Sequence, residues 1–321
     1  MKKFIDVIMG SRQLMLIIIL VVFSLVVVVI EPAFLSPAGL QAILNGLTVE
    51  GTIVIGMALL LISGEMDLSV GAIYAFTGVV TGLLLVSGIP VLLAIIMGII
   101  IAMIVGAING ALIARLGLNS FITTLGMGTA LFGLMRILSK GAAVLNLPDA
   151  FTKISRTQVF GFPIPVYIMF ALVGIFHYLV KYNKMFRQSY YVGGNRKAAE
   201  LNGINAKKVI LMNYVIVAAI AGFVGILTAA RFGTASITLG SATALNTITA
   251  AIIGGASLKG GKGTIFGAFL GALFMQFLAS ALNMLGINTH WQSFVTGGIL
   301  ILAIYADVLN EKREQNKLGK V

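Results

Sequence analysis

Apolar residues run along this chain in blocks of about twenty, separated by short polar punctuation. The first block, Gln13–Ile30, holds 18 residues without a charge and closes on Glu31-Pro32. A run of that length crosses a ~30 Å hydrocarbon core as a helix. It is longer than the apolar core of a signal peptide and lacks a small-residue cleavage site, so it reads as a retained first span. Further spans are expected at Leu40–Ile62, Leu68–Val86, Pro90–Ala114, Phe121–Leu138, Pro163–Val180, Val209–Ala230, Ile248–Leu258, Thr264–Leu285 and Trp291–Ala306. The eighth, Ile248–Leu258, is too short to cross. It reads as a half-helix buried among the others, or as one that gains length from Ser241–Thr247. The expected fold is an all-α polytopic membrane protein of about ten transmembrane helices, one of them short or broken.

Composition agrees with this pattern. Of 321 residues, 59% are hydrophobic and 10% charged, with mean hydropathy +1.06, whereas soluble domains carry roughly 25% charge. Ten spans of ~20 residues take up about 200 positions, and the remainder, scattered over loops and tails, leaves no room for a soluble catalytic domain. Cysteine is absent, which excludes disulfides, thiolate metal sites and cysteine nucleophiles. Two distant histidines, His177 and His290, point to no metal, and both read as packing near span ends. No catalytic constellation, cofactor or metal is expected.

The net charge of +12 acquires a meaning once the spans are drawn. With a cytoplasmic N-terminus, ten crossings bring both termini to the cytoplasm, and 17 of the 22 Lys and Arg residues fall on that side. Arg136, Lys140, Lys153, Arg156 and Arg231 remain for the other face. The positive-inside rule accounts for this asymmetry, so the charge reports topology and no nucleic-acid partner is expected. The chain reads as one transmembrane domain, 1–321, with a cytoplasmic N-terminus at 1–12, a long cytoplasmic loop at 181–208 and a cytoplasmic tail at 307–321. Gly106-x-x-x-Gly110, Gly222-x-x-Gly225 and Gly267-x-x-x-Gly271 have the spacing that lets helices approach closely.

Three segments carry candidate chemistry. In the 181–208 loop, Gly193-Gly194 breaks the chain, Asn195 caps a helix over Arg196–Leu201, and Asn202-Gly203 stops it. Two turns are unstable alone in water, so this helix docks on its own bundle or on a partner. In Gly64-Glu65-Met66-Asp67-Leu68-Ser69, Asp67 can cap the third span. The Gly254–Thr264 stretch resembles a phosphate-binding loop but lacks the Gly-Lys-Ser/Thr ending, and it reads as a tight turn. Within the spans, Glu50 would cost roughly 2.5–3.5 kcal/mol if charged and facing lipid. It therefore faces the interior or a water-filled path, where Asn109 and Asn283 could join it, or it is protonated. A proton relay through Glu50, as in a secondary transporter, is the alternative use.

The stretch GEMDLSVGAIYAFTG resembles the GGIDLSVG segment of permeases in ribose-type ABC importers, the binding-protein-dependent transport permeases that carry sugars, autoinducer-type furanones or nucleosides. FITTLGMGTALFGL, YVGGNRKAAELNGI, IIGGASLKGGKGTIFGAFLGAL and ALNMLGINTHWQ follow in the family's order, from about Leu35 to Asp307. The resemblance implies a permease subunit in a bacterial inner membrane and no enzymatic activity of its own. Its implied partners are a second permease, identical or related, two cytoplasmic ATPase subunits and an extracytoplasmic solute-binding protein. Gly193, Gly194, Asn195, Ala198, Ala199, Leu201 and Gly203 become the ATPase-coupling element. A translocation path is expected along Glu50, Asp67, Ser69, Asn109, Phe121, Thr124, Asn246 and Asn283. Glu65-Met66 stands where Gly-Ile is usual, Phe132 where Arg is often found, and Ala244 and Asn246 where an acidic pair is common. These changes point to a solute other than ribose.

Overall fold

The computed structural model describes residues 12–318. Its helices are α1 (Arg12–Ile30), α2 (Pro37–Ile62), α3 (Val70–Val86), α4 (Val91–Ala114), α5 (Ser120–Leu138), α6 (Asp149–Arg156), α7 (Ile164–Tyr182), α8 (Lys184–Gly194), α9 (Arg196–Leu201), α10 (Ala206–Phe232), α11 (Thr243–Ile253), α12 (Ile265–Met284) and α13 (Thr289–Leu318). Eight of these are long and apolar enough to cross a membrane, and α3 and α11 are shorter apolar helices. The structure contains the expected all-α polytopic membrane fold, and α11 is the helix expected to be short. The described strands form one two-residue hairpin, Gln158–Val159 against Phe162–Pro163.

Polar side chains start many of the helices. Ser36 accepts from Gly39 N, Asn119 from Ile122 N, Asn183 from Met185 N, Asn205 from Lys208 N and Thr264 from Gly267 N. Each satisfies an amide that the first helical turn leaves without a partner. α2 is the axis of the bundle: every residue from Gly51 to Ser63 is buried, as expected of a helix that is apolar all round. α10 packs on α2, α3 and α4. The outer helices turn large apolar side chains away from the protein, with Val29 84%, Leu92 71%, Ile122 70% and Phe294 72% exposed. Such faces suit lipid, and in lipid the helix form satisfies the backbone internally.

The glycine spacings seat helices backbone to backbone. A Cβ on Gly106 would meet the Tyr214 carbonyl, one on Gly110 would meet Leu211, and one on Gly225 would meet the Tyr74 carbonyl. Gly267 and Gly271 of α12 lie in the same way against Gly254 and Ala250. At one end of the bundle, the connection after α2, the α8–α9 segment and the 254–264 turn meet. At the other, Val144 bridges Ala235, and Arg156 Nε donates to the Arg231 carbonyl at 2.9 Å.

Several boundaries differ from expectation. The short helix is Thr243–Ile253, five residues earlier than Ile248–Leu258, because Gly254 and Gly255 (φ +97°) end it. Gly193-Gly194 does not break the chain: both complete α8, and the break falls at Asn195. Asp67 is not the cap of α3. Ser69 holds that position, and Asp67 instead brackets the turn before it by accepting from Ser69 N. The amphipathic helix α6 was not expected from the pattern. We expect Gly225→Leu, which drives a side chain into the Tyr74 backbone, to destabilise the chain by about 1–3 kcal/mol. Gly174→Leu, which points into open space, should leave it unchanged; melting of the two purified variants in detergent checks the pair.

Candidate functional site

The residues singled out from the sequence fall into three groups. The first is the segment at the end where α2 finishes. Asn183 and Asn195 start the two helices α8 and α9, the latter through a bond from Ala198 N at 2.9 Å. Asn202 closes α9, and Gly203 takes φ +81°, a left-handed turn that glycine adopts at little cost. Ala199 faces inward at 4% exposure, whereas Ala198 is exposed and Leu201 stands 86% exposed. Beside them lies a groove of about 560 Å³ lined by Tyr190, Tyr191, Gly194, Asn195, Ala198 and Asn202 among others. The Arg196–Glu200 pair at 3.5 Å is exposed and adds little.

This segment is tied to the bundle through backbone. A Cβ on Gly193 would strike the Ile62 carbonyl at the end of α2 and the Gly261 amide. Gly261 N itself donates to the Ile62 carbonyl at 2.9 Å. Gly260, at φ +86°, lies against both Gly193 and Gly64. Tyr190 Oη donates to the Gly263 carbonyl at 2.8 Å, and Asn213 Nδ2 of α10 donates to Ser189 Oγ at 3.1 Å. Three segments that are far apart in sequence therefore meet with no side chain between their backbones. The 254–264 turn is the core of this junction, which is a structural role and not a phosphate cradle.

The second group gathers Asp67, Ser69, Asn109 and Thr124, all with no exposed surface. Asp67 Oδ1 accepts from Ser69 N at 2.7 Å and from Ser69 Oγ at 2.5 Å. Asn109 Nδ2 of α4 donates to Ser69 Oγ at 2.9 Å, and Leu68 N donates to Thr124 Oγ1 of α5 at 2.9 Å. Tyr214 Oη of α10 donates to the Met66 carbonyl at 2.7 Å. The α2–α3 connection is thus held by three helices. Asp67 Oδ2 and Asn109 Oδ1 are both buried and both without a partner. A buried acceptor left empty is costly, and a proton on the carboxyl relieves that cost. Burial pushes the Asp67 carboxyl up to about 6, against the lowering effect of its bonds from Ser69 and Asn109.

The third group is Glu50 and Asn246. Asn246 Nδ2, on the short helix α11, donates to Glu50 Oε1 at 2.6 Å. Asn246 also lines a cavity of about 350 Å³ with Thr249, Gln292, Ser293 and Thr296, of which the sequence reading foresaw only Asn246. The others leave no signal in the sequence, because single hydroxyls and amides in an apolar helix look like packing. Two path candidates stand outside these groups. Asn283 accepts from Gln292 Nε2 at 3.4 Å near the opposite end, and Phe121 is 49% exposed on α5.

Because the folded state holds its proton on Asp67 more tightly than the unfolded chain does, that contribution to stability is present below about pH 4 and is lost as pH rises through 6. We expect wild-type melting to fall across this window by the equivalent of about 3 kcal/mol relative to Asp67→Asn, whose melting should be flat there. Asp67→Ala, which strips the turn of its acceptor, should lower melting at every pH, by about 1–3 kcal/mol.

Residues 39–304 match the family described as branched-chain amino acid transport system / permease component. The ribose import permease protein of Bacillus subtilis is 34% identical over 290 residues, covering 90% of each chain. The L-arabinose ABC transporter permease protein of Azospirillum brasilense is 32% identical over 311 residues, 97% of this chain and 91% of that one. The D-allose transport system permease protein of Escherichia coli is 36% identical over 265 residues, 81% of each. No solved structure matches the chain.

Proposed function

The chain belongs to the ABC permease family of these ribose, arabinose and allose proteins, and on that premise we propose that it imports a sugar or sugar-like solute as the transmembrane subunit of a larger complex. It is a multi-pass protein of the bacterial inner membrane. Two cytoplasmic ATPases power it, a second permease completes the pathway, and an extracytoplasmic binding protein delivers the solute. Both termini face the cytoplasm, a reading supported by the 17 basic residues that this orientation gathers on one side.

One observation carries the coupling role: a two-turn helix stands at the bundle end with Leu201 exposed beside an open groove, while the end of α8 that precedes it is locked through Gly193 to α2 and to the turn below α11. Gly194, Asn195, Ala198 and Leu201 present the face to the ATPase. Ala199 and Gly193 hold the helix to the bundle, and Gly203 lets the chain turn back into α10. ATP binding draws the ATPases together, and the junction passes that movement to α2 and α11, opening and closing the pathway by alternating access. The solute passes the Glu50–Asn246 pair and its adjoining cavity, while the Asp67, Ser69, Asn109 and Thr124 cluster holds the inner end of the path. In this reading Glu50 is a polar wall group. A proton-coupled carrier is not favoured, because such a carrier has no use for a docking helix.

Leu201→Asp and Ala198→Trp should insert and fold normally yet lose partner-ATPase binding and solute-stimulated hydrolysis by at least about tenfold. Reconstituted complexes in vesicles test this. Wild-type transport should continue when the proton gradient is collapsed. Unchanged hydrolysis in both variants would remove the coupling role, and transport that stops with the gradient would restore the carrier reading.

A further inference from the structure

A further cavity, of about 720 Å³, lies at the α8–α9 end of the bundle but on its outer flank, between α1, α7, α8 and the start of α12. Gln13, His177, Lys181, Arg187, Tyr190 and Tyr191 line it, and among the described residues no Asp or Glu does. Its level in the membrane follows from the helices that frame it. Gln13 opens the first apolar span, and Lys181 and Tyr182 close the span of α7, so the cavity sits where two lipid-facing helices leave the hydrocarbon. Gln13 Nε2 donates to Thr264 Oγ1 at 2.9 Å, which ties the start of α1 to the start of α12. The rim is aromatic: Tyr178 and Tyr182 pack at 4.9 Å, Lys181 Nζ lies 5.3 Å from the Tyr182 ring centre, and His177 meets Phe266 edge-on. Aromatic and basic residues at this depth are the usual furniture of a membrane interface. Further in along the same two helices, Ile18 and Ile175 are exposed, an apolar wall continuing from the basic mouth.

We propose that this cavity binds the phosphate of an anionic phospholipid headgroup, with Lys181 and Arg187 as the phosphate contacts. An arginine fork and a lysine ammonium are the side chains that pair with phosphate oxygens, and basic pockets between helices at this level take acidic headgroups. The adjoining apolar wall is what distinguishes a lipid from a soluble anion, since it offers acyl chains a surface. Tyr190 and Tyr191 line this cavity and also the groove beside α9. Lipid occupancy and partner docking therefore share a wall, and the lipid braces the α8 segment on which the coupling helix is mounted.

The test uses the full chain, purified in mild detergent and titrated with phosphatidylglycerol or phosphatidylcholine under native mass spectrometry. The wild type should bind phosphatidylglycerol about tenfold more tightly or better. Lys181→Gln/Arg187→Gln should lose that preference, and Lys181→Arg/Arg187→Lys should keep it. Lys140→Gln, at the opposite end, should also keep it. Both target side chains are exposed, so their replacement leaves the core intact. An unchanged preference in the double glutamine variant would overturn the site. Displacement of phosphatidylglycerol by millimolar inorganic phosphate would overturn the lipid assignment.

Discussion

Three stretches of backbone touch where α2 ends: Gly193 against the Ile62 carbonyl, Gly261 donating to that same carbonyl, and Gly260 against Gly64. Such contacts exist only where side chains are missing, and they do not deform gradually. A side chain can change rotamer to absorb a shift, whereas a backbone pressed on a backbone either moves with it or separates. The α8–α9 segment is therefore fixed to two elements at once. One is the central helix, and the other is the turn that follows the half-helix.

Those two elements meet again inside the bundle. Glu50 lies twelve residues up α2 from Ile62, about 18 Å at 1.5 Å per residue. Asn246 lies eight residues before Gly254, about 12 Å along α11. Their hydrogen bond at 2.6 Å joins the middle of α2 to the first turn of α11, as the glycine junction joins the end of α2 to the turn after α11. The frame links the face that we propose docks the ATPase to the cavity beside Asn246 through two helices. The Asp67 cluster buttresses it from the side, since the α2–α3 connection is held by α4, α5 and α10. A connection that would otherwise be a loose loop becomes part of the packed interior.

Much of this was legible in the sequence where a physical requirement leaves a local trace. A span needs about twenty apolar residues in a row, and a cap needs Asn or Ser just ahead of a helix, so the ten apolar helices and the Asn195 cap could be read directly. The glycine spacings foretold close helix contact because nothing larger fits such contacts. The short helix was displaced because its apolar run continues into Ala256 and Leu258, past the glycines that end it. α6 left little trace, since among its eight residues Phe151 is the large side chain that the core takes up. The Asp67 cluster depends on partners 40 and 56 positions away, and Asn109 and Thr124 look like ordinary packing until the helices are assembled. The basic cavity leaves no trace of its own, because Lys181 and Arg187 serve the positive-inside asymmetry equally well.

The most direct test of the frame is a change at the junction that spares the proposed docking face. Gly193→Val places a side chain against the Ile62 carbonyl while leaving Ala198 and Leu201 as they are. Solute transport and ATPase-subunit binding would be measured together in reconstituted complexes. Rigid transmission predicts binding near the wild-type level with transport reduced by about tenfold or more. Transport at the wild-type rate in that variant would contradict it, because the movement would then reach the pathway without passing through the glycine contact.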